Sequence, residues 1–412
     1  MSGGGTASPR HVITGIGAVA PTGLTCADYW SAVLRGESGI RTLTRFDPSG
    51  YSATVAGEIP EYTASRYVPG RLLPQTDRMT RLALIAAEEA LADAGADPSA
   101  MPPFACGAVT AASAGGFEFG QKELEALWSK GGKYVSAYQS FAWFYPVNTG
   151  QISIRHGLRG PGAAVVAEQA GGLDAIAKAR RHIRSGTPLM VTGGVDGSLS
   201  PWSWLCLIRS GRMSASPDPE AAFLPFDRRA QGAVVGEGGA LLVMEDAERA
   251  RERGASHRYG EVAGYAATFD PRPGSGRPPG LRRAITMALA DAGMAPADVD
   301  VVFADAYGVP ALDAAEAEAL AGVFGPRGVP VTAPKTMTGR LLAGSAPLDV
   351  ATALLSIRDG VLPPTVHVAS PAHEHLLDLV RDAPREQRVS SALVVSRGQG
   401  GFNSALVVRA AA

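Results

Sequence analysis

The chain has 412 residues, 46% of them hydrophobic, and a formal net charge of −1. That length suits a duplicated core or two domains. Near-neutrality argues against charge-driven binding to nucleic acid or an anionic membrane, and no stretch is apolar for long enough to suggest a transmembrane segment.

Residues 1–10, rich in Gly and Ser and without an apolar signal core, are expected to form a flexible lead-in. Two halves should follow, 11–253 and 254–412. Residues 11–19 read as an opening strand and turn. Gly15-Ile16-Gly17-Ala18-Val19-Ala20 mimics a dinucleotide-binding fingerprint, but Pro21-Thr22-Gly23 breaks the chain where the phosphate-binding helix should run. A tight structural turn is the expectation there. Residues 90–95 close an alanine-rich helix on a glycine suited to the left-handed C-terminal position, before a strand at 106–110. Residues 117–128 have amphipathic helical spacing, with Phe117, Gly120 or Gln121, Leu124 and Trp128 on one face. Gly131-Gly132-Lys133 lacks the remainder of a Walker loop and reads as a surface turn. Phe141, Trp143, Phe144 and Tyr145 are densely spaced for a chain with 7% aromatics.

A strand at 240–244 and a charged stretch at 251–256 end the first half. Beyond it, the Gly/Pro-rich run 271–280 reads as a surface loop. Residues 288–293 repeat the pattern of 90–95 and also precede a strand, at 299–304. Ile357-Arg358-Asp359-Gly360 repeats Ile183-Arg184-Ser185-Gly186, and each ends a helix that opens with Leu-Asp. These echoes predict two halves of one βα plan, each with a mostly buried sheet between helices. Cys26, Cys106 and Cys206 lack metal-ligand spacing and read as reduced, buried thiols of a cytoplasmic protein. His367, His373 and His375 read as a solvated cluster beside a Pro-rich loop.

The most informative stretch runs from Val165 to Asp174, which reads as a β-branched strand, a small-residue turn and the start of a helix. On such an elbow a helix N-terminus directs unsatisfied N–H groups and partial positive charge at the turn, which lowers a thiol's pKa and holds an oxyanion. The turn here carries Gln169, whose carboxamide cannot act as a nucleophile.

With Gly15-Ile16-Gly17 near the start and Phe226-Asp227, Gly232 and Gly236-Glu237-Gly238 in the middle, the chain resembles the β-ketoacyl synthases of the thiolase superfamily nearly end to end. The resemblance implies a thiolase-like α/β fold, two similar halves in a five-layered αβαβα arrangement. It also implies a Cys at position 169, a His-Gly-Thr-Gly-Thr-Pro motif where Asp305-Ala306-Tyr307-Gly308-Val309-Pro310 stands, and a Lys followed by Gly-His where Lys335 and Gly339-Arg340 stand. The Phe-Gly-Phe-Gly-Gly gate reads Arg397-Gly398-Gln399-Gly400-Gly401. Cys and both His are replaced and Lys335 is kept, a pattern of loss that resembles the chain length factors, the β subunits of type II polyketide ketosynthases.

That resemblance implies a non-condensing subunit, with no catalytic residue of its own and no bound cofactor or metal. It would pair with a catalytic ketosynthase α subunit and receive substrate on the phosphopantetheine arm of an acyl carrier protein. Phe117, Gly120 and Leu124 would line the tunnel that limits polyketide length, and a small residue with Leu beyond it suggests a decaketide-like or longer product. Arg397 and Gln399 would replace the gate. Two alternatives stand beside this reading: malonyl decarboxylation at Gln169 to prime synthesis, and a homomeric acyl-binding scaffold. Asp305 and Arg340 would either form a direct ion pair in the vacated site or turn outward.

Overall fold

The computed structural model describes residues 11–197, 199–272 and 274–411. The expected lead-in 1–10 lies outside them, as does Pro273 of the run 271–280; residues 274–279 of that run are exposed. Two sheets form the frame. The first has five strands in the order His11–Val19, Gly238–Asp246, Leu189–Asp196, Cys106–Ala111, Gly162–Val165. The second runs Glu261–Phe269, Phe402–Arg409, Ser391–Gly398, Val301–Phe303, Pro330–Thr332, with Asp378–Leu379 added at its edge. Strand by strand the two orders match. In each, the first two pairings are antiparallel and the next two parallel.

The sequence echoes fall on matching elements. Helices Arg78–Ala94 and Leu281–Ala292 both stop on a left-handed glycine, Gly95 and Gly293. Each covers the outer face of its sheet and presses on a strand glycine. A Cβ on Gly15 would overlap the Ala90 carbonyl, and one on Gly264 would overlap that of Ala288. This corrects the turn expected at Gly15–Ala20: the strand continues to Val19, and its glycines are there so that a helix can approach closely.

Helices Gly171–Arg184 and Ser345–Asp359 fill the space between the sheets, and one apolar cluster joins both helices to both sheets. The order helix, sheet, helix, sheet, helix gives the five layers of the thiolase-like fold. Gly172 seats the two central helices together, since a Cβ there would overlap Pro347. One cysteine departs from expectation. Cys106 is buried and Cys26 partly so, but Cys206 is exposed on the outer face of the short helix Pro201–Arg209, whose Trp204 side packs inward. Among the described residues no helix is long and apolar enough to cross a membrane, and no group of His, Cys, Asp or Glu is arranged to hold a metal.

Candidate functional site

The strand ends of both halves converge on one buried region. Gln169 follows the strand Gly162–Val165, Asp305 follows Val301–Phe303, Lys335 follows Pro330–Thr332, and Arg397 stands at the end of Ser391–Gly398. Carboxyl ends of parallel strands are where open α/β sheets place their sites. The elbow has the expected form, with Gln169 only 1% exposed and the helix Gly171–Arg184 starting two residues later. Its strain falls one residue earlier, on Glu168, whose φ is +49°; Ala306, next to Asp305, has φ +48°. Non-glycine residues in this region cost about 1–3 kcal/mol each and persist where surrounding structure enforces them.

The buried region where these strand ends meet is filled by ions. Arg340 Nη2 lies 3.2 Å from Asp305 Oδ1, so the direct pair forms, and both side chains are buried. Arg340 Nη1 also donates to the Asp305 carbonyl at 2.7 Å, and the guanidinium stacks on Tyr307 with 3.8 Å to the ring centre. With its oxygen toward Arg340, the Gln169 carboxamide accepts from Nε at 2.8 Å and from Nη2. Arg397 folds inward from the gate position. Its Nε reaches Asp305 Oδ2 at 3.1 Å, and its Nη2 reaches Glu316 Oε2 at 2.8 Å. Lys335 Nζ sits 2.7 Å from Asp349 Oδ2 and donates to the Ala304 carbonyl.

Charge balance sets the protonation states. Burial alone would raise the Asp305 carboxyl, but Arg340, Arg397 and Lys335 together hold it below its ordinary value. Glu316 goes the other way: burial outweighs Arg397 and raises it. Burial likewise pushes Asp349 up to about 6, against the pull of Lys335, and Asp313 up to about 7. Asp313 accepts from the N–H groups of Tyr307 (2.9 Å), Gly308 (3.0 Å) and Phe226 (3.0 Å), and so ties the Asp305 segment to the Phe-Asp segment.

Amide donors of the segment 397–399 are also engaged. The Arg397 N–H gives its hydrogen to Asp305 Oδ1 at 3.0 Å. The Glu168 carboxylate accepts from the Gln399 N–H at 2.8 Å. An oxyanion or enolate that used the Arg397 or Gln399 amide would have to displace an internal carboxylate from it.

Gln169, Asp305, Arg340 and Arg397 therefore meet in one network, with the Lys335–Asp349 pair beside it. Gln399 does not join it with its side chain, being exposed on the loop beyond. Phe117, Gly120 and Leu124 lie on the helix Phe117–Lys130, and among the described residues none of them hydrogen-bonds to the network. Glu168, Asp313, Glu316 and Asp349 were missed by sequence reasoning. Asp313 and Glu316, three apart at the start of a helix after Pro310, carried a weak signal of a shared face.

Two family models cover most of the chain: the β-ketoacyl synthase N-terminal domain matches residues 10–250 and the C-terminal domain residues 259–369. The chain belongs to the β-ketoacyl synthase family. It is 62% identical over 399 residues to the tetracenomycin polyketide synthase ketoacyl synthase beta subunit of Streptomyces glaucescens, covering 97% of this chain and 98% of that one. The ishigamide ketosynthase/chain length factor superposes with a TM-score of 0.87 at 27% identity, over 98% of this chain and all of that one. A type II polyketide acyl-carrier protein in complex with its ketosynthase bound to the hexaketide gives the same TM-score, identity and coverage. Within the family the chain is of the ketosynthase β, or chain length factor, type.

Proposed function

We propose that this chain pairs with a catalytic ketosynthase α subunit and fixes polyketide length through the helix Phe117–Lys130, with substrate delivered on the phosphopantetheine arm of an acyl carrier protein in the cytoplasm. One observation carries the tunnel reading. An amphipathic helix in a folded monomer buries its apolar stripe, but here Leu124 remains 37% exposed and Trp128 83%, and Gly120 alone of that helix is buried. Phe117 packs on Trp202 with ring centres 4.6 Å apart, and Trp143 and Trp202 close over Gly120. Trp143, Phe144, Tyr145, Trp202 and Leu205 extend the same exposed surface. A contiguous apolar patch of this kind marks a binding surface. The strand Gly162–Val165, an outer strand of its sheet in the single chain, adds an open edge for a partner.

Condensation at Gln169 is disfavoured because the residue cannot attack and its surroundings are saturated by ion pairs. The same saturation weighs against priming by decarboxylation here. The test is a reconstituted complex with a Cys-bearing ketosynthase in which Gly120→Phe is introduced. Shorter polyketides at comparable total output support the reading, and unchanged length from an assembled complex overturns it.

A further inference from the structure

We infer that Asp77 is a positioning residue for the length-setting helix, because its single carboxylate caps two helices at once. The inference rests on the reading that the helix Phe117–Lys130 borders the tunnel. Asp77 is the N-cap of the core helix Arg78–Ala94, where Oδ1 accepts from the Met79 N–H at 2.8 Å. Its other oxygen, Oδ2, accepts from the Phe119 N–H at 2.8 Å. The helix Phe117–Lys130 has no cap of its own: Gly116 occupies the N-cap position and offers no side-chain acceptor. An orphan first-turn N–H of a helix needs a partner, and the chain supplies it from another helix forty-two residues earlier.

The link is sheltered and rigid. Asp77 is buried, and its Cβ stands 3.0 Å from where a Cβ on Gly116 would fall, so the helix entry is seated directly against it. Beside it Arg45 pairs with Glu118 at 2.6 Å, a second tie on the same first turn. The anchored partner is the outer helix of the first half, packed on the sheet strands 11–19 and 238–246. Asp77 thus carries the position of the fixed core to Phe117, Gly120 and Leu124. Without it the helix could shift along its axis, and the tunnel would lose a single defined length.

Asp77→Ser separates the two bonds. Serine is a good N-cap for its own helix, but its one short hydroxyl cannot also reach Phe119. In complexes with the ketosynthase α subunit, Asp77→Ser should leave assembly intact and raise the fraction of off-length polyketides roughly fivefold, the population shift that loss of one cap allows. Amide hydrogen exchange should quicken at residues 119–123 and stay unchanged across 82–92. A merely structural role would quicken both segments and leave product length alone, and that result overturns the inference. If Asp77→Ser fails to assemble, Asp77→Asn replaces it: an amide has one acceptor oxygen and must surrender one of the two bonds, so product length must spread where exchange at 119–123 quickens and hold where that segment is unchanged. Length altered by Gly120→Phe but not by an Asp77 variant that frees residues 119–123 removes the inference and keeps the tunnel reading. Length altered by none of them removes the tunnel reading itself.

Discussion

Gln169 sits buried at the strand-turn-helix elbow, held by its neighbours. Its carboxamide oxygen accepts from Arg340, and Arg340 in turn rests on Asp305 and Tyr307. Gln169→Ala should leave product length unchanged and slow initiation modestly at most, as measured by product mass and rate in a reconstituted complex. Complete loss of polyketide from an assembled complex would instead make Gln169 a priming residue. The ions beneath it matter more for stability. Arg340→Ala leaves the buried Asp305 with Arg397 as its chief counter-charge and should cost about 3–5 kcal/mol, toward the lower end because Arg397 remains. Denaturant unfolding of the purified complex measures this, and pairing Arg340→Met with Asp305→Asn should recover part of the loss.

Asp313 gives a pH signature with a definite sign. Its carboxyl lies near 7 in the fold against an ordinary 3.8, so the folded state holds the proton more tightly than the unfolded chain. The stabilisation is complete below about pH 4 and is lost as pH rises through about 7. Wild type should therefore lose stability relative to Asp313→Asn across that window, by at most about 1.4 kcal/mol per pH unit. A difference that stays flat between about pH 5 and about pH 8 would refute the assignment.

At the scale of the element, the helix Phe117–Lys130 separates two uses of the same periodicity. A Cβ on Gly120 would sit 3.5 Å from Trp143 and 3.9 Å from Trp202, which is ordinary contact. Gly120→Ala should accordingly fold well and gain up to about 1 kcal/mol of helix propensity, with little change in length. Gly120→Phe has no such room inside the chain and must project along the apolar face. If the face borders a tunnel, the tunnel narrows and products shorten. If the face were closed core, overpacking would cost about 1–3 kcal/mol and lower the melting temperature without altering length. Product masses and thermal unfolding of the same samples distinguish these outcomes.

For the whole molecule, the exposed aromatics from Trp143 to Tyr145, exposed Trp202 and Leu205, and the outer strand Gly162–Val165 are the surfaces that suit the proposed α partner. Expressed alone, the chain should self-associate or aggregate. With its α partner it should form a heterodimer burying more than about 2,000 Å², as obligate interfaces do. Sedimentation and co-purification test this, and a stable monomer that binds no ketosynthase would refute it. The duplicated plan was legible in sequence because glycine-stopped helices and paired strands are local patterns: residues 90–95 and 288–293 announced elements that the sheet orders then matched. The elbow was legible for the same reason, since strand, turn and helix are contiguous there. Tertiary structure alone decided which charges meet. Gln169, Asp305, Arg340 and Arg397 come from both halves of the chain, and no spacing rule links them to Glu316 on an outer helix or Asp349 on a central one. It also decided which apolar faces stay open, because a stripe at helical spacing looks the same whether another helix covers it or a partner must.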